Sequence, residues 1–308
     1  MITLIVPTCN RAHTLRVVGP SYFQQVGVSE IIFVNDAGSD ETPAVIDQLS
    51  REYPGVKTRL LTNAQRLGAS ESRNVGVREA GNSYILFCDD DEYLEAGYAQ
   101  VCLRKLIELN AAAVSGRRIY LEPGESQAQA LRRFGNGIRR TRPFRFVICE
   151  YVNAARYSGD IRLPITNAII LTHKSLLQQF PFDSHYARGN GYREESDFQM
   201  NLFTHGFDIY VTNDRHSFHL PLSQVRTGGQ RASAAARVRW ALHYTNYFFG
   251  KYYQPYAQRA GIRTPRWAAM AIFTAFCFYR ETLRPPLYRL AKWYLRRQQQ
   301  LGSWEVGT

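Results

Sequence analysis

Tyr84-Ile85-Leu86-Phe87-Cys88-Asp89-Asp90-Asp91-Glu92 is an apolar run that breaks into three consecutive aspartates and a glutamate. A short apolar run closed by polar, turn-forming residues reads as a buried strand ending in a loop. Clustered carboxylates repel one another and persist where a cation neutralises them. Oxygen ligands of this kind suit a hard divalent ion, Mg²⁺ or Mn²⁺, shared with a phosphate. A solvated acidic turn or a helix cap is the plainer alternative.

Working outward, strands are expected at Ile2–Val6, Glu30–Asn35, Lys57–Thr62 and Tyr84–Cys88, and helices at Thr14–Val26, Glu41–Tyr53 and Ala69–Ala80. This is the rhythm of βαβ units with a mainly parallel sheet, hence an α/β, Rossmann-like fold class. Each strand runs into a polar cluster: Pro7-Thr8-Cys9-Asn10, Asp36-Ala37-Gly38-Ser39-Asp40, Asn63-Ala64-Gln65-Arg66 and Asp89-Asp90-Asp91. Ligands bind outside the carboxyl ends of such strands, so the four clusters are expected to share one crevice.

Farther along, Tyr98–Asn110 and Glu195–His205 read as helices, and Ala112–Ser115, Arg118–Leu121, Ile165–Leu171 and Asp208–Thr212 as extended. Gly124–Arg145 reads as a polar, Arg-rich connection, and the helical segments after Ser223 are expected to break at Pro255, Pro265 and Pro285-Pro286. The expected organisation is a catalytic domain over 1–225, divided into a nucleotide-binding half (1–100) and an acceptor half (101–225), followed by a basic, aromatic, mainly helical extension over 226–308.

The charge is as uneven as the pattern. The 308 residues carry a formal net charge of +12. From Arg226 onward there are fourteen Lys and Arg against Glu281 and Glu305 alone, so the excess lies there and residues 1–225 balance. Such a segment is built to meet something anionic: phospholipid, nucleic acid or a phosphorylated substrate. Its aromatics, interleaved with cations, suit the inner face of an anionic membrane, with packing on the catalytic domain as the alternative.

Composition narrows the class further. With 45 % hydrophobic residues the chain buries a large core. Five scattered cysteines without C-x-x-C spacing argue against a zinc site or a disulfide framework and fit a reducing, cytoplasmic compartment. The amino-terminal stretch reads as a strand and not as a signal peptide. No apolar run is long enough to span a bilayer. Walker A and G-x-G-x-x-G sequences are missing, which disfavours kinase-like ATP chemistry and dinucleotide redox.

Ile5-Val6-Pro7-Thr8-Cys9-Asn10-Arg11, Val34-Asn35-Asp36-Ala37-Gly38-Ser39-Asp40-Glu41-Thr42 and Gly68-Ala69-Ser70-Glu71-Ser72-Arg73-Asn74-Val75-Gly76 precede the acidic triplet in that order. Together the four elements resemble the inverting family 2 glycosyltransferases of the GT-A fold, which show "IPTYNR", "VDDGSTD", "ARN.G" and DxD elements at similar spacings. The resemblance is strong over residues 1–100 and weaker to about 222. It implies a metal-dependent transferase, using Mn²⁺ or Mg²⁺, that moves a sugar from a nucleoside diphosphate donor to a hydroxyl of a glycan or lipid-linked acceptor.

By that resemblance Asp36 accepts the base N–H, an arrangement that suits UDP or dTDP, and Pro7, Thr8, Asn10 and Arg11 surround base and ribose. Arg73 and Asn74 lie near the pyrophosphate or hold the acidic loop. Asp89 faces the ribose or the metal through water, Asp91 ligates the metal, and Asp90 is a further nucleotide-side candidate. The second acidic cluster, Tyr192-Arg193-Glu194-Glu195-Ser196-Asp197-Phe198, opens a helix, where acids also serve simply as caps. The resemblance makes Glu195 the general base, with Asp197 and Glu194 as understudies, and makes His219 a metal ligand. Gly228, Gly229 and Arg231 offer a lid or an ordinary linker turn. Asp40 is expected only to cap a helix.

Two rivals remain at this level. A nucleic-acid-binding protein would use the basic tail, yet the acidic clusters would repel a polyanion, so nucleic acid is not an expected partner. A nucleotidyltransferase acting on sugar phosphates shares the α/β fold and metal-binding acids but lacks the expected Gly-rich loop after Val6.

Overall fold

The computed structural model describes residues 1–135, 141–153, 155–226 and 232–286. Four parallel strands, β1 (Ile2–Thr8), β2 (Val28–Asn35), β3 (Lys57–Thr62) and β4 (Tyr84–Phe87), lie in the order β3-β2-β1-β4. All seven residues of β1 are buried, as expected of a central parallel strand covered on both faces. β3 ends this side of the sheet and is only partly covered. Its Lys57 is exposed and its Arg59 half-buried, a charged edge that discourages further pairing.

One face of the sheet carries α1 (Ala12–Val18), α2 (Pro20–Phe23), α3 (Thr42–Glu52) and α5 (Tyr98–Glu108), which pack Leu15, Tyr22, Leu49 and Cys102 onto it. The other carries α4 (Ala69–Glu79), α7 (Lys174–Gln179) and α8 (Glu194–Thr204), through Val77, Leu177, Phe198 and Leu202. The helix expected over 14–26 is divided at Gly19-Pro20, because proline has no N–H to donate into a continuing helix and instead starts α2. Asp40 caps twice: Oδ1 accepts from Thr42 N at 3.0 Å and Oδ2 from Ala12 N at 2.9 Å, fixing the starts of α3 and α1 together.

Beyond β4 the sheet becomes mixed. β10 (Ile170–His173) is antiparallel to β4 and to β6 (Ala113–Tyr120), β6 is parallel to β11 (Ile209–His219), and β5 (Glu92–Leu94) and β9 (Ile161–Arg162) are antiparallel to β11. β7 (Phe144–Arg145) and β8 (Glu150–Tyr151) form a separate hairpin. The expected strand 165–171 begins only at Ile170. Gln199 takes the Thr166 N–H at 2.6 Å and the Asn167 side chain takes Ile169 N at 2.9 Å, so side chains claim the donors a ladder would need. The stretch expected as a polar, Arg-rich connection contains a helix, α6 (Gln127–Gly135).

β6 is one strand where two extended pieces were expected, and β11 runs on to His219 where a strand ending at Thr212 was expected. Between Thr212 and His216 the register slips, so Asn213, Asp214 and Arg215 bulge from β11. At Gly116 opposite, a Cβ would lie 2.3 Å from the Tyr98 ring and 2.6 Å from Arg215 O, so only glycine permits the approach. Past the bulge, His219 pairs with Glu92 on one side and Tyr120 on the other.

α9 (Ala234–Ala260) contains Pro255 without breaking there, contrary to expectation. A mid-helix proline costs about 3 kcal/mol. Burial of Tyr244, Phe248, Tyr252 and Tyr256 contributes about 1.5–3 kcal/mol apiece, which outweighs it. Phe248, Tyr252 and Tyr256 share one cluster with Met200 and Phe203 of α8 and Val211 of β11, and Tyr244 packs on Tyr186, so much of the aromatic content after Arg226 belongs to a core. α10 (Arg266–Phe278) follows and passes into a π-helical turn, Tyr279–Leu283. No helix among the described residues is long and apolar enough to cross a membrane.

Candidate active site

The carboxyl ends of β1 and β2 open on a cavity of roughly 610 Å³. Pro7, Thr8, Asn10, Arg11, Asp36 and Asp90 line one side and the 186–191 loop the other. A second cavity, roughly 630 Å³, lies between β6, the β8 region, the start of α8 and the carboxyl-terminal helices. Both are lined by Ala69, Asn190, Gly191 and Glu194, so they meet at the amino-terminal ends of α4 and α8.

Asp36 lies where expected, but its carboxylate is already in use. Oδ1 accepts from Leu67 N at 2.7 Å and Asn63 Nδ2 at 2.9 Å, and Oδ2 accepts from Gly68 N at 2.9 Å. A carboxylate offers about four acceptor positions, so a base N–H would be a further bond beside these. Asn10, in a left-handed conformation at φ 58°, accepts from Ser39 N at 2.8 Å and ties the ends of β1 and β2 together.

The acidic triplet is buried among arginines. Asp89 meets Arg73 Nη2 at 3.1 Å and Arg118 Nη2 at 3.0 Å. Burial works to raise its pKa, but the two guanidiniums hold it below the usual carboxylate value. Asp90 is pushed up to about 7 by burial, against the pull of Arg11 and with Asp91 adding to the rise. Fully buried Glu92, which pairs with Arg118 at 2.6 Å, is pushed up to about 8, chiefly by burial.

Asp91 receives Arg11 Nη1 at 3.1 Å and lies 3.5 Å from His219 Nε2. The opposite nitrogen of His219 is 2.6 Å from Leu220 O. A carbonyl only accepts, so Nδ1 carries the proton and Nε2 presents its lone pair. Burial lowers the pKa of this imidazole, favouring the neutral form. A carboxylate and an imine lone pair at this separation are two acceptors face to face, a pairing that suits a cation between them. The donor set of Asp91 and His219 therefore fits a divalent cation such as Mn²⁺ or Mg²⁺. Among the described residues no group of three or more His, Cys, Asp or Glu side chains is placed to hold a metal.

Arg73, at the buried face of α4, joins this cluster to the second one. Nη1 pairs with Glu194 and Nη2 lies 3.2 Å from Glu195 Oε1. Glu194 is buried, whereas the Glu195 side chain keeps 32 % of its exposure on the wall of the second cavity. The start of α8 is held by Arg193, whose backbone is left-handed at φ 77° and whose buried guanidinium binds Ile148 O, Cys149 O and Thr245 Oγ1.

Arg73, Asp89, Asp91 and His219 line neither cavity and are tied, directly or through Asp91, to the lining residues Arg11, Arg118, Glu194 and Glu195; two further candidates stand outside that cluster. Asp197 lines neither cavity: Tyr186 Oη, Lys251 Nζ and Tyr252 Oη bind it at 2.8, 2.8 and 3.0 Å. Two residues of helix rotate it about 200° from Glu195, toward α9. The Asn74 amide brackets Phe182, donating to its O at 2.9 Å and accepting from its N at 3.0 Å, and so anchors α4 instead of facing a ligand. Gly228, Gly229 and Arg231 lie outside the described residues.

Sequence reasoning missed Arg118, Glu92 and the 183–191 loop. Arg117-Arg118 inside an otherwise apolar strand was the available signal for the first. The loop rests on α9: Tyr244 donates to Arg188 O at 2.5 Å, Tyr247 and Lys251 bind Asp183 at 2.8 and 2.7 Å, and the Trp240 ring lies where a Cβ on Gly189 would have to go, at 2.4 Å.

Residues 3–179 match the model of glycosyl transferase family 2, and the chain belongs to that family. It is 29 % identical over 117 residues to the glycosyltransferase GlyA of Streptococcus pneumoniae, 37 % of this chain and 16 % of that protein. It is 30 % identical over 108 residues to the GalNAc(5)-diNAcBac-PP-undecaprenol beta-1,3-glucosyltransferase of Campylobacter jejuni, 35 % of each chain. The chain thus spans about a third or less of the length of these two relatives.

Among solved structures it resembles Staphylococcus aureus TarS 1–349 in complex with UDP-GlcNAc, with TM-score 0.61 and 14 % identity over 90 % of this chain and 74 % of that one. It also resembles the mannosyltransferase PcManGT of Pyrobaculum calidifontis in complex with GDP-Man and Mn²⁺, with TM-score 0.57 and 17 % identity over 96 % and 79 %. The expected GT-A fold is the one observed.

Proposed function

We propose that the chain is a divalent-metal-dependent, inverting glycosyltransferase that moves one sugar from a nucleoside diphosphate, of UDP or dTDP type, to a hydroxyl of a glycan or lipid-linked acceptor. Family membership favours this over nucleotidyl transfer and over nucleic-acid binding. The observation that carries the reading is the position of Glu195: it stands on the wall of the second cavity, and Arg73 ties it to Asp89 and to Glu194, which lines both cavities.

The 610 Å³ cavity takes the donor, with the base beside Asp36 and the Pro7–Arg11 loop, and the second cavity takes the acceptor. Glu195 accepts the proton of the acceptor hydroxyl as its oxygen bonds to the anomeric carbon. The bond from that carbon to the diphosphate oxygen breaks on the opposite side, inverting the configuration. Asp91 and His219 would hold the metal, which supplies Lewis acidity for the departing diphosphate. Arg73 keeps Glu194, Glu195 and Asp89 in fixed relation, and Arg118 binds Asp89 and Glu92. The enzyme is placed in the cytoplasm, peripheral on the inner face of an anionic membrane, with 1–225 as catalytic domain and 226–308 as extension.

The test begins with a nucleotide-sugar panel with Mn²⁺, scored by thermal shift and then by product release. Glu195→Gln should lower transfer by about 10²–10⁴-fold while nucleotide binding survives. Near wild-type transfer in that variant removes Glu195 as base, and retained anomeric configuration in the product removes the single displacement.

A further inference from the structure

α10 buries one face and leaves the other without a partner. Ala269, Phe273 and Cys277 point into the protein. On the opposite side Trp267 is 75 % exposed, and Ile272, Phe278, Tyr279 and Leu283 are each about half exposed. At 100° per residue these side chains fall on one sector with Ala271 and Ala275, so the outer face of α10 and its π-helical turn is a continuous apolar stripe. A soluble surface rarely carries such a stripe without a partner for it.

The charges around the stripe are of one sign. Arg263, Arg266 and Arg284 are exposed at its two ends. α10 contains no acid, and Glu281 of the turn faces inward, where Arg237 and Arg280 hold it at 2.7 and 2.8 Å. The sequence that follows, 287–308, adds Arg289, Lys292, Arg296 and Arg297 against Glu305. An apolar, tryptophan-bearing stripe rimmed by arginines matches the headgroup region of an anionic bilayer, where rings sink to the acyl boundary and guanidiniums meet phosphates.

We infer that the outer face of α10 is a docking surface for an anionic lipid bilayer. This deepens the peripheral placement proposed above, on which it rests, by naming the surface that makes the contact. It also orients the enzyme: Arg280 and Glu281 line the second cavity while Tyr279 and Leu283, from the same π-helical turn, lie on the stripe. Docking brings the rim of the acceptor cavity to the membrane, which favours an acceptor carried on a lipid.

The experiment is co-sedimentation of the full chain with vesicles of phosphatidylglycerol and phosphatidylcholine, against phosphatidylcholine alone. Two variants accompany the wild type: Trp267→Ser/Ile272→Ser/Phe278→Ser and Arg263→Ser/Arg266→Ser/Arg284→Ser. All six side chains are exposed, and an unchanged melting temperature establishes folding. Wild-type binding to the anionic vesicles only, weakened about tenfold or more in the first variant and about a hundredfold in the second, supports the inference. Wild-type binding that both variants retain overturns this face and leaves the peripheral placement standing. Absence of wild-type binding overturns both, with glycosyl transfer untouched. A concentration-dependent dimer that the first variant abolishes assigns the stripe to a second copy of the chain and overturns the bilayer as its partner.

Discussion

Arg73 Nη2 lies 3.2 Å from Glu195 Oε1 and, on its other side, 3.1 Å from Asp89 Oδ1, so one buried guanidinium couples the acid proposed as base to the first acid of the triplet. A substitution here acts on both halves of the site at once.

Arg73→Met leaves Glu194 buried without its cation, an arrangement that costs about 3–5 kcal/mol. The melting temperature should fall and transfer drop by about 10²-fold or more through misplacement of Glu195. Arg73→Met/Glu194→Leu should recover much of the stability and none of the activity. Urea titration beside initial rates separates the two effects; recovery of both would make Arg73 purely structural.

Metal removal tests the pairing of Asp91 with His219. Chelation should abolish transfer, and Mn²⁺ should restore it. Asp91→Asn and His219→Ala should each weaken the Mn²⁺-dependent thermal shift measured with UDP, because ligand binding stabilises in proportion to its affinity. Turnover that survives exhaustive chelation would remove the metal from the reaction.

Lys251→Met strands Asp197, whose pKa burial already holds above the ordinary value. At neutral pH the variant should lose about 3 kcal/mol. A carboxyl whose folded pKa is raised contributes stability below its unfolded pKa and loses it as pH rises through the folded value. Without the ammonium that pKa climbs further, so the stability gap to wild type should narrow as pH falls from 7 to 5. Denaturant titrations at both values check the sign.

Glu30 is the opposite case. Burial would raise its pKa, yet Gly81 N–H, Thr3 hydroxyl and Lys57 together hold it below the ordinary value. Its contribution is present above the unfolded pKa and lost as pH falls through the lowered one. Glu30→Gln should cost about 1–3 kcal/mol at pH 7, with the difference vanishing in acid. Donor affinity should not change, since Glu30 lines neither cavity.

Much of the first hundred residues was legible because each strand there announces itself twice, by an apolar run and by the polar cluster that ends it. The four clusters do meet at one crevice, through Pro7 to Asn10, Asp36, Arg66 and Asp90, whereas Asn74, expected near the pyrophosphate or the acidic loop, serves Phe182. Glu195 and Asp197 could not be separated by composition; the turn of α8 separates them, and Lys251, 54 residues later, claims the second. Gly116 and the β11 bulge were invisible because their reason is the close approach of Tyr98 and Arg215, distant in sequence, to the space a Cβ on residue 116 would fill. Pro255 misled for the related reason that burial of neighbouring rings outweighs local propensity.

The support of the 183–191 loop by α9 has a consequence for the order in which the protein comes into being. A chain emerging from the ribosome completes β1 to β4 early, but the segment from Asp183 to Gly191, which meets Gly68 and Asp197, lacks its contacts with Tyr244, Tyr247 and Lys251 until α9 has been made. At about 5–20 residues per second, that interval is on the order of 3–12 s. Through it the nascent polypeptide holds its acidic triplet beside a cavity wall not yet buttressed, and that buttress arrives with the helix that leads on to α10.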